Sequence, residues 1–80
     1  MAVLRLFAAA RIAAGTARDD VPGATVAEVL AAAAERYGPD FARVLSTCAV
    51  WCNGDAVAVD TPVGPADEIA VLPPVSGGGG

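Results

Sequence analysis

The spacing of apolar and polar positions changes several times along this chain, and each change marks an element. Ala2, Leu4 and Leu6 alternate with Val3, Arg5 and Phe7, the two-residue period of a strand. Phe7 to Gly15 reads as a short helical turn ending at Gly15. Thr16 to Val21 reads as a second strand, closed by a Pro22-Gly23 turn. From Val26 the period becomes helical, because Val26, Val29, Leu30, Ala33 and Tyr37 fall on one stripe. Thr25 followed three residues later by Glu28 has the spacing of a capping box. Gly38 stands where a left-handed cap is wanted, and Pro39 prevents continuation. The main helix is therefore predicted over Val26 to Tyr37, and Asp40 to Leu45 as a shorter second one.

Beyond it the period returns to two. Thr47 to Cys52 and Asp55 to Val59 flank Asn53-Gly54, a pair that tolerates positive φ and so favours a tight hairpin. Asp60 to Asp67 is a turn-rich connection, and Ile69 to Leu72 a last strand stopped by Pro73-Pro74. This order predicts an α+β fold of β-grasp, ubiquitin-like architecture, with a mixed sheet packed on one main helix. The expected division is a domain over 1–74 and a flexible tail over 75–80.

Composition narrows the chemistry. Eighty residues suffice for one domain, and 55% apolar residues exclude general disorder. The net charge is −4, all five basic residues are Arg, and no basic cluster shows in the sequence. Such a chain is a poor partner for nucleic acid or an anionic membrane. Without Lys it offers no side-chain amine as an isopeptide acceptor, and without His it lacks the commonest general base and metal ligand. Cys48 and Cys52, in a strand rising ~3.3 Å per residue, would lie too far apart for a disulfide. They are expected to be buried free thiols in a reducing compartment. Two Cys without His make a poor zinc site. Arg11 interrupts the N-terminal apolar run, so residues 1–15 read as strand and turn rather than as a signal sequence. No segment reaches the length of a membrane span, and a cytoplasmic location is expected.

The tail carries the candidate chemistry. Val75 and Ser76 lead into Gly77, Gly78, Gly79 and Gly80. Ordering four glycines costs much conformational freedom, so the run suits a probe that can thread a channel too narrow for any Cβ. Its α-carboxylate is a poor electrophile until joined to AMP. Sulfide can then displace AMP and leave a thiocarboxylate, a softer nucleophile. A glycine run alone is more often a linker or a disordered end.

Three stretches add to the tail. Leu6-Phe7-Ala8 is followed by Arg11 and Gly15. Thr25-Val26-Ala27-Glu28-Val29-Leu30 opens the main helix, and Cys52-Asn53-Gly54-Asp55 forms the hairpin. The run from Asp67 to Gly78 joins an acidic pair, an apolar strand, two prolines and two glycines. With these features the chain resembles the MoaD/ThiS sulfur carriers, and within them the molybdopterin synthase small-subunit branch.

The resemblance implies a non-catalytic carrier subunit with no cofactor of its own. An adenylating partner enzyme uses ATP and Mg²⁺ on the terminal glycine, and a sulfur donor protein makes the thiocarboxylate. The tail then enters the large subunit of molybdopterin synthase, in a heterotetramer, to give sulfur to a pyranopterin precursor. Other members of the class serve thiamine or cysteine synthesis, and a ubiquitin-like protein modifier is a further alternative. The implied partner-binding residues are Phe7, Leu72, Pro73, Pro74 and Val75. Gly79 and Gly80 extend past the double glycine where that family usually ends. The reactive residue is therefore Gly80, or Gly78 if the tail is trimmed.

Other residues have plainer readings. Phe7 and Leu72 suit either core packing or a partly exposed docking patch, to which Ala56 adds little. Trp51 and Tyr37 are expected in or at the edge of the core. Arg11 reads as a solvated surface charge, the Asp19-Asp20 pair as a solvated turn or strand edge, and Asp67-Glu68 as turn chemistry. A persulfide relay through Cys48 and Cys52 lacks a nearby base.

Overall fold

The computed structural model describes residues 2–73. Within them the order is β1 (Ala2–Leu6), α1 (Ala8–Ala14), β2 (Arg18–Val21), α2 (Val26–Tyr37), α3 (Pro39–Leu45), β3 (Ala49–Cys52), β4 (Asp55–Ala56) and β5 (Glu68–Leu72). The strands form one mixed sheet in the order β2-β1-β5-β3-β4. β1 runs parallel to β5, and the other pairs are antiparallel. This is the predicted β-grasp. The tail residues 74–80, and with them Pro74, Val75 and the glycine assignments, lie outside the described residues.

The core follows from the two periods. Alternation in β1 buries Ala2, Leu4 and Leu6, and the same sheet face carries Val21, Cys52, Ile69 and Val71. Val26, Val29, Leu30 and Ala33 of α2 and Phe41 of α3 close over it. Each large apolar side chain so buried contributes about 1.5–3 kcal/mol. Tyr37 caps the stripe half-buried and meets Phe41 edge-on, with ring centroids 5.1 Å apart.

The start of α2 explains two departures from expectation. Thr25 Oγ1 accepts from the Glu28 N–H at 3.2 Å, as a capping box requires, but the Glu28 carboxylate accepts from the Ala24 N–H rather than that of Thr25. The Val26 and Ala27 N–H groups donate to the carbonyls of Thr61 and Val59. The chain after the hairpin therefore leaves the sheet to satisfy the helix end, and the predicted Asp55 to Val59 strand stops at Ala56. Pro22-Gly23 does not form the expected tight turn. A Cβ on Gly23 would stand 2.6 Å from the Val29 backbone nitrogen, so only glycine lets the chain pass the helix so closely.

The remaining ends are set locally. Gly38 has positive φ but an extended ψ (100°, −177°), not the predicted left-handed helical cap. Pro39 ends α2 and is the first residue of α3, where its missing N–H costs nothing. Thr47 and Cys48 fold back on α3 through N–H bonds to Val44 and Leu45, so β3 begins at Ala49. Asn53 and Gly54 take φ of 52° and 88°, as the hairpin reading requires.

Candidate functional site

The sheet face away from α2 and α3 carries the candidate site. Residues of this face alternate with the buried ones: Val3 and Arg5 from β1 with Phe7 just beyond it, Glu68, Ala70 and Leu72 from β5, Ala49 and Trp51 from β3, and Ala56 from β4. Register places them in rows. Arg18, Arg5, Ala70, Trp51 and Ala56 run in order across all five strands. One row nearer the tail, Leu72 stands opposite Ala49, and Phe7 follows Leu6 on the strand beside it.

The result is an apolar surface at the end of β5 that leads into the tail. Phe7 and Trp51 are each 39% exposed, while Leu72 and Pro73 are half-buried. Phe7 and Leu72 are thus brought together, in the open arrangement. Trp51, expected in or at the edge of the core, stands instead on the open face: Cys52 points inward, and the two-residue period turns Trp51 outward. That alternation was the signal that would have found it. Arg5 was also missed. Its guanidinium lies 5.8 Å from the Phe7 ring centroid and 3.4 Å from the Glu68 carboxylate.

The far end of β5 is clamped by the hairpin. The Asn53 N–H donates to the Glu68 carbonyl, and the Glu68 N–H donates to Asn53 Oδ1. Asn53 Nδ2 donates to Asp67, whose other oxygen accepts from the Gly64 N–H. These bonds, that from Asn53 first, hold the Asp67 carboxyl below its ordinary value. Asp67 is therefore turn chemistry as expected, whereas Glu68 pairs with Arg5. The clamp fixes the start of β5 against the hairpin.

The other charged sites are structural. Asp19 is not merely solvated. It faces the helix side, where it accepts from the Tyr37 hydroxyl and from Arg36 at 2.7 Å. Tyr37, then Arg36, lowers the Asp19 carboxyl, while burial and then Asp19 push the Tyr37 hydroxyl up to about 12. Arg11 is exposed on α1 and makes no ion pair among the described residues. Cys52 is buried as expected, but Cys48 is only half-buried and donates its thiol to the Val44 carbonyl. Burial pushes both thiols up, and Asp67 and Asp55 raise Cys52 further. Neither is held as the thiolate that a persulfide relay needs.

Among the described residues there is no cavity and no cluster of metal-ligating side chains. None of their helices is long and apolar enough to cross a membrane. A flat apolar face beside a clamped strand can seat another protein rather than enclose a small molecule.

Comparison with known proteins bears on what that protein does. The ThiS family profile matches residues 4–78, ending at Gly78. The structure of SAMP1 from Haloferax volcanii is similar at 34% identity, covering 95% of this chain and 97% of that one, with a TM-score of 0.79. A Pyrococcus furiosus protein described as a molybdopterin converting factor subunit 1 is 24% identical, over 92% and 97% of the two chains, with a TM-score of 0.79. A chain of the Amycolatopsis orientalis BexX/CysO complex is 22% identical, over 96% and 99%, with a TM-score of 0.81. The last two likenesses establish the fold alone. No curated protein sequence matches the chain. The expected leaning toward the molybdopterin branch is thus not matched by the identities, since the 34% likeness is to a small archaeal modifier.

Proposed function

This chain belongs to the ThiS family, and from that premise we propose that it is a ubiquitin-like protein modifier that shares the sulfur carriers' activation chemistry. An adenylating enzyme docks on the open face of Phe7, Trp51 and Leu72. It joins the terminal glycine carboxylate to AMP and releases pyrophosphate. A lysine amine of a target protein then attacks the acyl carbon, expels AMP and forms an isopeptide bond. Attack by sulfide instead gives the thiocarboxylate. The reactive residue is Gly80, or Gly78 after trimming, where the family match ends. Pro73 stiffens the exit of β5, Pro74 and Val75 carry the chain onward, and the glycines pass through the partner's channel.

The observation that carries this reading is the 34% identity to a small archaeal modifier protein over nearly the whole chain. It is tested by incubating the chain with ATP, Mg²⁺ and the adenylating enzyme of its source, with and without sulfide. Intact mass and tryptic peptides are then read. The modifier reading expects lysines of other proteins to carry the remnant 44–80, because trypsin finds no Lys or Arg to cut after Arg43. Because this chain has no Lys, no such remnant arises on its own side chains. Failure to form any acyl-adenylate would overturn it.

A second reading is favoured by the run Asp67 to Gly78, with its double proline before the double glycine. In it the thiocarboxylate is the end product, and the tail enters a large synthase subunit to deliver sulfur to a pyranopterin precursor. Exchange of one oxygen for sulfur, with no lysine adducts in the presence of target proteins, would select this reading. Both need ATP and a cytoplasmic setting.

A further inference from the structure

Two of the five arginines stand side by side on the open face. Arg5 and Arg18 are direct register partners across β1 and β2, so both side chains lie on the side away from the helices. Like charges directly opposite each other in an antiparallel pair are destabilising. In a chain with nine acidic residues the placement brings no fold stability of its own.

Neighbouring carboxylates only partly answer the two charges. Glu68 reaches Arg5 at 3.4 Å, with both side chains well exposed, a pair of little strength. Asp20 lies on the same face of β2, opposite Val3. Arg18 makes no side-chain ion pair among the described residues. A guanidinium carries five N–H donors, so most of those on Arg5 and Arg18 face water. A protein covering Phe7 and Trp51 would also cover Arg5, which lies against the Phe7 ring. A guanidinium taken from water needs acceptors.

We infer that the enzyme docking on this face presents acidic side chains to Arg5 and Arg18, beside an apolar surface that takes Phe7, Trp51 and Leu72. The inference rests on the reading of that face as the adenylating enzyme's seat. The net negative charge of the chain disfavours a polyanionic occupant such as nucleic acid. The arginine pair then sets the register of docking, while the apolar residues supply most of the adhesion.

The test measures binding of the full chain and its variants to the adenylating enzyme of its source, at low and high salt. Arg5→Glu with Arg18→Glu is expected to weaken binding at least about tenfold and to flatten its salt dependence. Arg43→Glu, which makes on α3 the charge change of one of these two substitutions, is expected to stay within about twofold. Replacing both Arg5 and Arg18 by Lys restores much of the affinity. Arg18→Glu relieves the like-charge pair and is expected to melt at or above the wild-type temperature, so its weaker binding cannot be put down to unfolding. Binding of Arg18→Glu and of the double variant equal to that of Arg43→Glu overturns the inference. If Phe7→Asp abolishes binding while the arginine variants do not, the docking reading stands and this inference fails. If the wild type neither binds nor is adenylated, both fall.

Discussion

The two faces of the sheet are made by the same strands and have opposite fates. On one side Leu4, Leu6, Ile69 and Val71 are fully covered by α2 and α3. On the other, Phe7 and Trp51 keep more than a third of their surface in water. A five-stranded sheet in a chain of this size has helices enough for one face only. The covered face holds the fold, and on the proposed reading the open face takes another protein, so that its apolar side chains gain their burial on docking.

The comparison can be broken most severely from the covered side. Phe41→Ala removes the largest buried side chain and its contact with Tyr37. It is expected to cost about 3–5 kcal/mol in denaturant unfolding, enough to unfold much of the chain. Gly23→Ala drives a Cβ into the backbone of α2, and about 2 kcal/mol should be lost. On the open side the pattern inverts. Phe7→Asp should change stability by no more than about 1 kcal/mol while abolishing binding to the adenylating enzyme. Loss of the folded state in that variant would make Phe7 part of the core and erase the distinction.

Finer tests sit at the rim, where Asp19 ties β2 to the end of α2. Tyr37→Phe removes the hydroxyl that donates to Asp19 and is expected to cost about 1 kcal/mol. The pH dependence follows from the shifts. Asp19 and Asp67 titrate below their ordinary value when folded, so their stabilisation is present above roughly pH 4 and is lost as pH falls through the folded value. Tyr37 is shifted the other way, to about 12. Its stabilisation is full below roughly pH 10 and is lost as pH rises through the folded value. Asp19→Asn should flatten the acid limb of a stability profile, and Tyr37→Phe the alkaline limb. The smallest effect is expected for Ile12→Ser, a lone exposed apolar residue on α1, within about 0.5 kcal/mol.

Much of this was legible in the chain itself. The helical stripe, the Thr25–Glu28 spacing and the Asn53-Gly54 hairpin are local effects, carried by residues a few positions apart, and the structure reproduces them. The family and the fold class were legible for the same reason. Trp51 and the Gly38 cap were local misreadings, whereas the other statements that failed needed a second segment. The strand after the hairpin is short because the carbonyls of Val59 and Thr61 are claimed by a helix more than thirty residues earlier. Asp19 looked solvated because Arg36 and Tyr37 lie a whole helix away.

The sequence alone determined which positions alternate, where helices start and stop, and that the chain runs into glycines after two prolines. These follow from backbone sterics and near-neighbour hydrogen bonds. Tertiary structure alone decided that the helices cover one face and leave Phe7, Trp51 and Leu72 on the other, with Arg5 and Arg18 abreast. Strand order and register set that arrangement. They join residues from opposite ends of the chain, and no local preference encodes them.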